Sequence, residues 1–187
     1  MADLILGSTT AISETGGTVT LPGITFPTGF IIGALTAVNT TAQVSSAGSS
    51  ASPTWVNGVS IVYTPQSGTN ILLLVDAWTG TNGYASYAMN RVIKTPAGGS
   101  TSVLRGASNS NYAQNQVSSP GDAWQIEFTG GAIWDVHGAN GSTAITYVFQ
   151  FARQNSGTDV VLGRTFNDPT SATGGSAETR ISILEIK

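Results

Sequence analysis

The stretch Thr179–Lys187, which reads Thr-Arg-Ile-Ser-Ile-Leu-Glu-Ile-Lys, decides the fold of this chain. It is rich in Ile and Leu and contains no glycine or proline, which is typical of a β-strand. Such a strand must be paired inside a sheet, because its backbone groups and apolar side chains would otherwise be left exposed. We therefore expect residues 179–187 to belong to the core of an all-β domain, and their removal to abolish folding.

Composition supports the same fold class. Only 9% of the 187 residues are charged, against roughly 25% in ordinary soluble proteins. Polarity comes instead from Ser, Thr and Asn, together with 23 Gly, which favours short strands and tight turns and disfavours long helices. The low charge is consistent with a surface that contacts other protein, and equally with a surface that is simply neutral.

Charge and cysteine usage exclude several function classes. The net charge is −3 and the seven basic residues are scattered singly, so we expect no nucleic-acid partner. There is no cysteine, so stability needs neither a disulfide nor a thiolate metal site. The first residues, 1–7, lack the features of a signal peptide. The longest apolar run, Ile71–Val75, is too short to span a membrane, so we expect no membrane association.

Turn residues divide the chain into many short strands. Asn-Gly pairs at 57–58, 82–83 and 140–141 predict hairpins, because both residues tolerate positive φ. Strand spacings near ten residues predict a β-sandwich or barrel with almost no helix. The polar segments 39–53, 106–121 and 166–178 are expected to be loops. The predicted strands are 3–6, 17–20, 29–38, 54–56, 59–64, 70–78, 85–94, 101–105, 124–129, 132–137, 143–152, 160–165 and 179–187.

Two strands suggest surfaces that are covered on both sides. In 143–152, alternate residues predict a core face, whereas the other face is small and semi-apolar, too dry for free solvation. The run Ile71–Val75 has no alternation, so both of its faces should be covered. These features predict a closed oligomer or packing beneath the N-terminal segment. The core face is Ile145, Tyr147, Phe149 and Phe151, and the candidate oligomer interface is Ile71, Leu73, Val75, Ala144, Thr146 and Val148.

Catalytic chemistry has little support in the sequence. Asp135 and His137 are two residues apart on a predicted strand and could share a face, but no nucleophile motif or metal-ligand cluster completes a site. We expect a surface or interface hydrogen bond there, and we predict no catalytic residue, no metal and no cofactor. Aromatic residues could stack on sugar rings, although packing in the core or between subunits explains them as well. The glycan-stacking candidates are Trp55, Trp78, Tyr84 and Tyr112.

Several segments, read in order, resemble β-modules of tailed-bacteriophage virion proteins, especially those of marine and cyanobacterial phages. The similarity covers residues 23–187, and each motif is weak when taken alone. The segments are Gly23–Ile32, Val59–Pro65, Gly68–Val75, Thr143–Phe151, Val161–Asn167 and the ending Arg180–Ile186.

This resemblance implies a jelly-roll-like β-sandwich of the C1q/TNF shape that forms a homotrimer. The family's charged central hairpin is replaced here by residues 94–99, and we expect no long shaft before the module. We therefore expect an N-terminal arm, 1–22, and a jelly-roll domain, 23–187. The arm should gain order only on a partner surface and should anchor the protein through apolar residues. The anchoring candidates are Leu4, Ile5, Leu6 and Ile12.

Two functions follow from the resemblance. The first is a non-enzymatic virion structural protein, a trimeric capsid decoration (cement) protein or short head fibre that contacts the major capsid protein or tail components. The alternative is a tail-fibre tip that recognises a cell-surface glycan. An enzyme such as a depolymerase is the least supported reading.

Overall fold

The structure is a computed structural model, and its described residues contain β-strands and no helix. The described residues are 3–6, 9–15, 18–20, 28–49, 52–66, 69–81, 86–106, 115–117, 126–128, 131–136, 143–154, 159–163 and 178–187. The strands are β1 (Asp3–Leu6), β2 (Thr9–Thr15), β3 (Thr18–Thr20), β4 (Ile31–Asn39), β5 (Gln43–Ser45), β6 (Val56–Tyr63), β7 (Asn70–Asp76), β8 (Trp78–Thr81), β9 (Ser86–Pro96), β10 (Ser102–Gly106), β11 (Asn115–Val117), β12 (Ile126–Phe128), β13 (Gly131–Asp135), β14 (Ile145–Arg153), β15 (Val160–Leu162) and β16 (Thr179–Ile186).

Two antiparallel sheets define the domain. Sheet 1 has the strand order β13-β7-β16-β4, and sheet 2 has the order β10-β9-β14-β6, with β11 also paired to β9. Each sheet therefore places strands from the start of the domain beside strands from its end. This order is the double Greek key of a jelly roll, and it confirms the predicted all-β jelly-roll class.

A third sheet, of order β12-β8-β15-β5, extends sheet 1. Along the chain, β8 follows β7 and β5 follows β4, while β12 precedes β13 and β15 precedes β16. The lateral order of these strands is the same as that of their neighbours in sheet 1. Segment 39–53, expected to be a loop, thus contains β5, which pairs with β15. Similarly, β11 lies inside the expected loop 106–121.

The last strand lies in the middle of sheet 1, as the sequence predicts. β16 pairs with β4 on one side and with β7 on the other. The side chains of Ile181 and Ile183 are fully buried in the core, and Glu185 is 2% exposed. This strand therefore supplies core side chains and completes two backbone ladders.

The predicted core face of β14 is also confirmed. Ile145, Tyr147, Phe149 and Phe151 are each at most 2% exposed and belong to the core cluster between the sheets. The predicted Asn57-Gly58 hairpin is wrong, because β6 runs through both residues. Gly58 forms a β-bulge in β6, opposite Phe149 and Gln150 of β14. A side chain at position 58 would collide with Leu162 and Phe149, so glycine serves close packing instead of a turn.

The N-terminal strands pair with one another. β1 pairs with β2 and β2 with β3, forming a separate three-stranded sheet. The sequence predicted strands near 3–6 and 17–20 but missed β2. Adjacent strands here pair with each other's backbone groups. Whether the arm gains order only on a partner surface stays a prediction, because in the described residues this sheet forms no ladder with the jelly roll.

Candidate assembly surface

The outer face of sheet 1 is apolar and exposed. Strand register places Ala34, Leu184, Leu72 and Trp134 in one row across the four strands. The next row contains Thr36, Ser182, Leu74 and Ala132, and the hydroxyls of Thr36 and Ser182 are 2.8 Å apart on this face. We call these eight residues, together with Val38 and Val136, the outer face of sheet 1.

Exposure values show that the described residues leave much of this surface uncovered. The exposed fractions are 50% for Trp134, 41% for Leu74, 47% for Val38 and 70% for Val136. At the margin of this face lies Arg180, which forms an ion pair with Glu178 and whose register neighbour on β7 is Asp76. Large exposed apolar patches on soluble domains usually mark interaction sites.

The predicted interface residues do not lie together on one surface. Ile71 and Leu73 are fully buried in the core and Val75 is 7% exposed, so assigning these three residues to an interface is wrong. The strand alternates: its odd-numbered side chains point inward, while Leu72 is partly buried and Leu74 is exposed. Covering of the second face of β7 by an oligomer or by the N-terminal segment stays a prediction, because among the described residues Leu74 is exposed.

The other three candidates lie on the opposite side of the domain. Ala144, Thr146 and Val148 alternate with the core residues of β14 and therefore occupy the outer face of sheet 2. Ala144 and Thr146 are partly exposed, whereas Val148 is only 8% exposed. Their role in an interface stays a prediction.

The glycan-stacking candidates are only partly described. The Arg91 guanidinium carbon lies 4.0 Å from the centre of the Trp55 ring, so one ring face is already in a cation–π contact. Trp78 is half-buried in β8. Tyr84 and Tyr112 lie outside the described residues. The anchoring candidates Leu4, Ile5 and Leu6 lie in β1, and Ile12 lies in β2.

Arg91 also belongs to a chain of hydrogen bonds. Its Nε donates to Gln150 Oε1 at 2.6 Å, and Gln150 Nε2 donates to Asn57 Oδ1 at 2.7 Å. Burial lowers the pKa of Arg91. The cation–π contact and these hydrogen bonds together hold Trp55, Arg91 and Asn57 in place at the surface.

Asp135 is held in an internal ion cluster. The Asp135 carboxylate is 3% exposed, with Lys94 Nζ 2.5 Å from Oδ1 and the Tyr147 hydroxyl donating to Oδ2 at 2.9 Å. Burial, followed by the nearby Asp135 charge, raises the pKa of Tyr147 well above its ordinary value. A carboxylate satisfied in this way stabilises the fold, and His137 lies outside the described residues.

Glu185 forms a second internal cluster, at the end of β16. Tyr63 donates to Oε2 at 2.7 Å, while the Gln66 backbone N–H and the Thr69 hydroxyl bond Oε1 at 2.5 and 2.6 Å. Burial, followed by the hydrogen bond to Glu185, raises the pKa of Tyr63 to about 12. A side chain at Gly33 would overlap the Tyr63 hydroxyl. The cluster therefore ties β16 to β6 and to the segment leading into β7.

Among the described residues there is no group of three or more His, Asp or Glu side chains able to hold a metal ion. In the same part of the chain, no helix is long and apolar enough to cross a membrane.

Sequence reasoning missed the outer face of sheet 1. The available signal was the alternation Ala132, Trp134 and Val136 against Ile133 and Asp135 in β13.

No protein-family model matches the sequence, and no curated protein gives a significant match. Among solved structures, the chain is similar to one of the infectious bursal disease virus Gx strain, with TM-score 0.38 and 10% identity over 94% of this chain and 46% of that chain. It is also similar to the infectious bursal disease virus VP2 subviral particle, with TM-score 0.32 and 9% identity over 95% and 46%. The chain thus spans less than half of both, and at these scores the likeness assigns no function.

Proposed function

We propose that this chain is a non-enzymatic structural protein of a bacteriophage particle, a homotrimer that decorates the capsid. The observation that carries the proposal is the apolar outer face of sheet 1, which the described residues of the chain leave open to solvent. In the trimer this face is buried between neighbouring copies.

The chemistry of the face favours a protein partner. Its two central rows contain Leu, Ala, Ser, Thr and Trp and no charged side chain, which matches the depletion of charge in the cores of protein interfaces. Trp134 is a large residue of the kind enriched among interface hot spots. The low overall charge and the resemblance of residues 23–187 to phage virion modules support the same proposal.

The buried acidic residues support a structural role. Asp135 and Glu185 are satisfied by internal partners that link separate strands. In the alternative, a tail-fibre tip that binds a glycan, Trp55 would have to offer a free ring face. Its contact with Arg91 occupies one ring face, so a sugar could stack only on the other face.

The test of assembly compares one lysine substitution on the outer face of sheet 1 with one on the outer face of sheet 2. Trp134→Lys adds a charge to the outer face of sheet 1, and Val62→Lys adds one to the outer face of sheet 2, where Val62 is 58% exposed beside Thr146. Sedimentation should show a trimer for the wild type and for Val62→Lys, and a smaller species for Trp134→Lys.

Two results would contradict the proposal. A wild-type chain that remains monomeric at micromolar concentration would refute the proposed trimer. Dissociation by Val62→Lys, with Trp134→Lys still trimeric, would move the interface to the face that carries Ala144, Thr146 and Val148. Circular dichroism of each variant checks that the sheets remain folded.

A further inference from the structure

The two open sides of the sandwich are protected very differently. On one side the edge strands are β10 and β13, each five residues long. β10 has a bulge between Val103 and Arg105, and Arg105 Nη1 donates a long hydrogen bond of 3.4 Å to the Ala132 carbonyl of β13. A short, bulged, charged edge is a standard defence against pairing with another chain.

The opposite side lacks the short length and the charge, although both of its edge strands carry a bulge and Asn39 Nδ2 donates to the Gly58 carbonyl at 2.7 Å. Its edge strands are β4, of nine residues, and β6, of eight, and neither contains a charged residue or a proline. Leu35 faces the core side of β4, opposite the fully buried Ile183, yet it is 44% exposed. The core is therefore open at this edge, because in the described part of the chain no strand lies beyond β4 to cover it.

A cleft of about 390 Å³ opens between the two edges. It is lined by residues 37–39 of β4, Gln43 of β5 and residues 57–60 of β6, none of which is charged. The Oε1 atom of Gln43 is enclosed and has no hydrogen-bond partner in the described structure. The geometry suits an uncharged, extended polypeptide that hydrogen-bonds the free edge of β4.

The N-terminal sheet is a matching donor. Within the described residues, β1–β3 form no ladder with the jelly roll, and β1 is an edge strand. A small isolated sheet needs a packing surface to be stable. The sequence of β1 is Asp-Leu-Ile-Leu, so most of its residues are apolar.

We propose that the free edge of β4 accepts β1 from a second copy of this chain as an added strand. The inference rests on the trimer proposed above. A β4-to-β4 contact would be two-fold, whereas an arm-to-β4 contact is heterologous and can close into a three-membered ring. The added strand covers Leu35 and merges the arm with sheet 1 of the neighbouring copy.

Disulfide trapping tests this placement in the full-length chain, which has no cysteine of its own. Ile5→Cys supplies the arm position. It is co-expressed in turn with chains that carry cysteine at one of three exposed positions of β4, namely Ala34, Thr36 or Val38. Paired residues of neighbouring strands lie within disulfide reach, and the three positions sample different registers of the added strand against β4. Val62→Cys is the matched control, exposed on sheet 2.

After mild oxidation, a disulfide between Ile5→Cys and at least one β4 position should form at least tenfold more than one to Val62→Cys. Adding Leu35→Lys to the reactive β4 chain should reduce it at least fivefold, because an inward-pointing charge blocks an edge. Equal yields at Val62→Cys, a dominant β4-to-β4 disulfide, or no effect of Leu35→Lys would overturn the inference. Sedimentation of the same samples separates two kinds of failure. If the samples are trimeric, only the contact between the arm and β4 is refuted, whereas monomeric samples refute the trimer as well.

Discussion

Ile183→Ala tests whether the last strand is central to stability. Ile183 is fully buried, and its register partners are Leu35 on β4 and Leu73 on β7. Ladders on both sides hold the backbone, so the cavity left by the substitution cannot collapse easily. Buried Ile→Ala changes cost about 2–5 kcal/mol, and we expect about 4 here. This is a large part of a typical total of about 5–15 kcal/mol.

Urea unfolding followed by tryptophan fluorescence measures this change. With a slope of about 2 kcal/mol per molar urea, the midpoint should fall by about 2 M. Protein concentration must be held constant, because dissociation of an oligomer contributes to apparent stability. Ile31→Ala is the matched control: Ile31 is 51% exposed at the start of β4, so its loss should cost less than about 1 kcal/mol. A loss below about 1 kcal/mol for Ile183→Ala would refute the reasoning.

Three further predictions concern the internal polar clusters. Gly33→Ala should destabilise the fold by about 1–3 kcal/mol, because its new methyl overlaps the Tyr63 hydroxyl, and Tyr63→Phe should recover part of the loss in a double-mutant cycle. Lys94→Met should cost about 3 kcal/mol by leaving the Asp135 charge buried without its cation, while adding Asp135→Asn should reduce that cost; equal stability of single and double variants would contradict this. The pKa values of Tyr63 and Tyr147 are raised above the ordinary 10.0, so the stability they contribute is complete below about pH 10 and is lost as the pH rises toward 12. Urea midpoints between pH 9 and 12 should fall less steeply for Tyr63→Phe than for the wild type.

Strand periodicity predicted much of the fold. The β14 core face and the central position of β16 follow from runs in which apolar residues are either alternating or too dense for an exposed edge. For β7 the same reasoning assigned the wrong side chains to an interface, because five consecutive apolar residues do not show which face packs into the core. The structure resolves this point: Ile71 and Leu73 point inward, and Leu74 points to solvent.

Local turn signals were less reliable than periodicity. Asn57-Gly58 has the pattern of a hairpin turn, yet Gly58 is needed for close approach to Leu162 and Phe149. That need depends on β14 and β15, which lie far away in sequence. The internal partners of Asp135 and Glu185 were likewise unpredictable, because Lys94 and Tyr63 reach them only after the two sheets pack.

Labelling of purified phage particles with a gold-tagged antibody against this chain tests the central claim most directly. The proposal predicts label distributed over the capsid surface, in many copies per particle. Label confined to a tail tip would favour the glycan-binding alternative, and particles that carry no label under conditions where the purified protein is recognised would contradict a structural role in the virion.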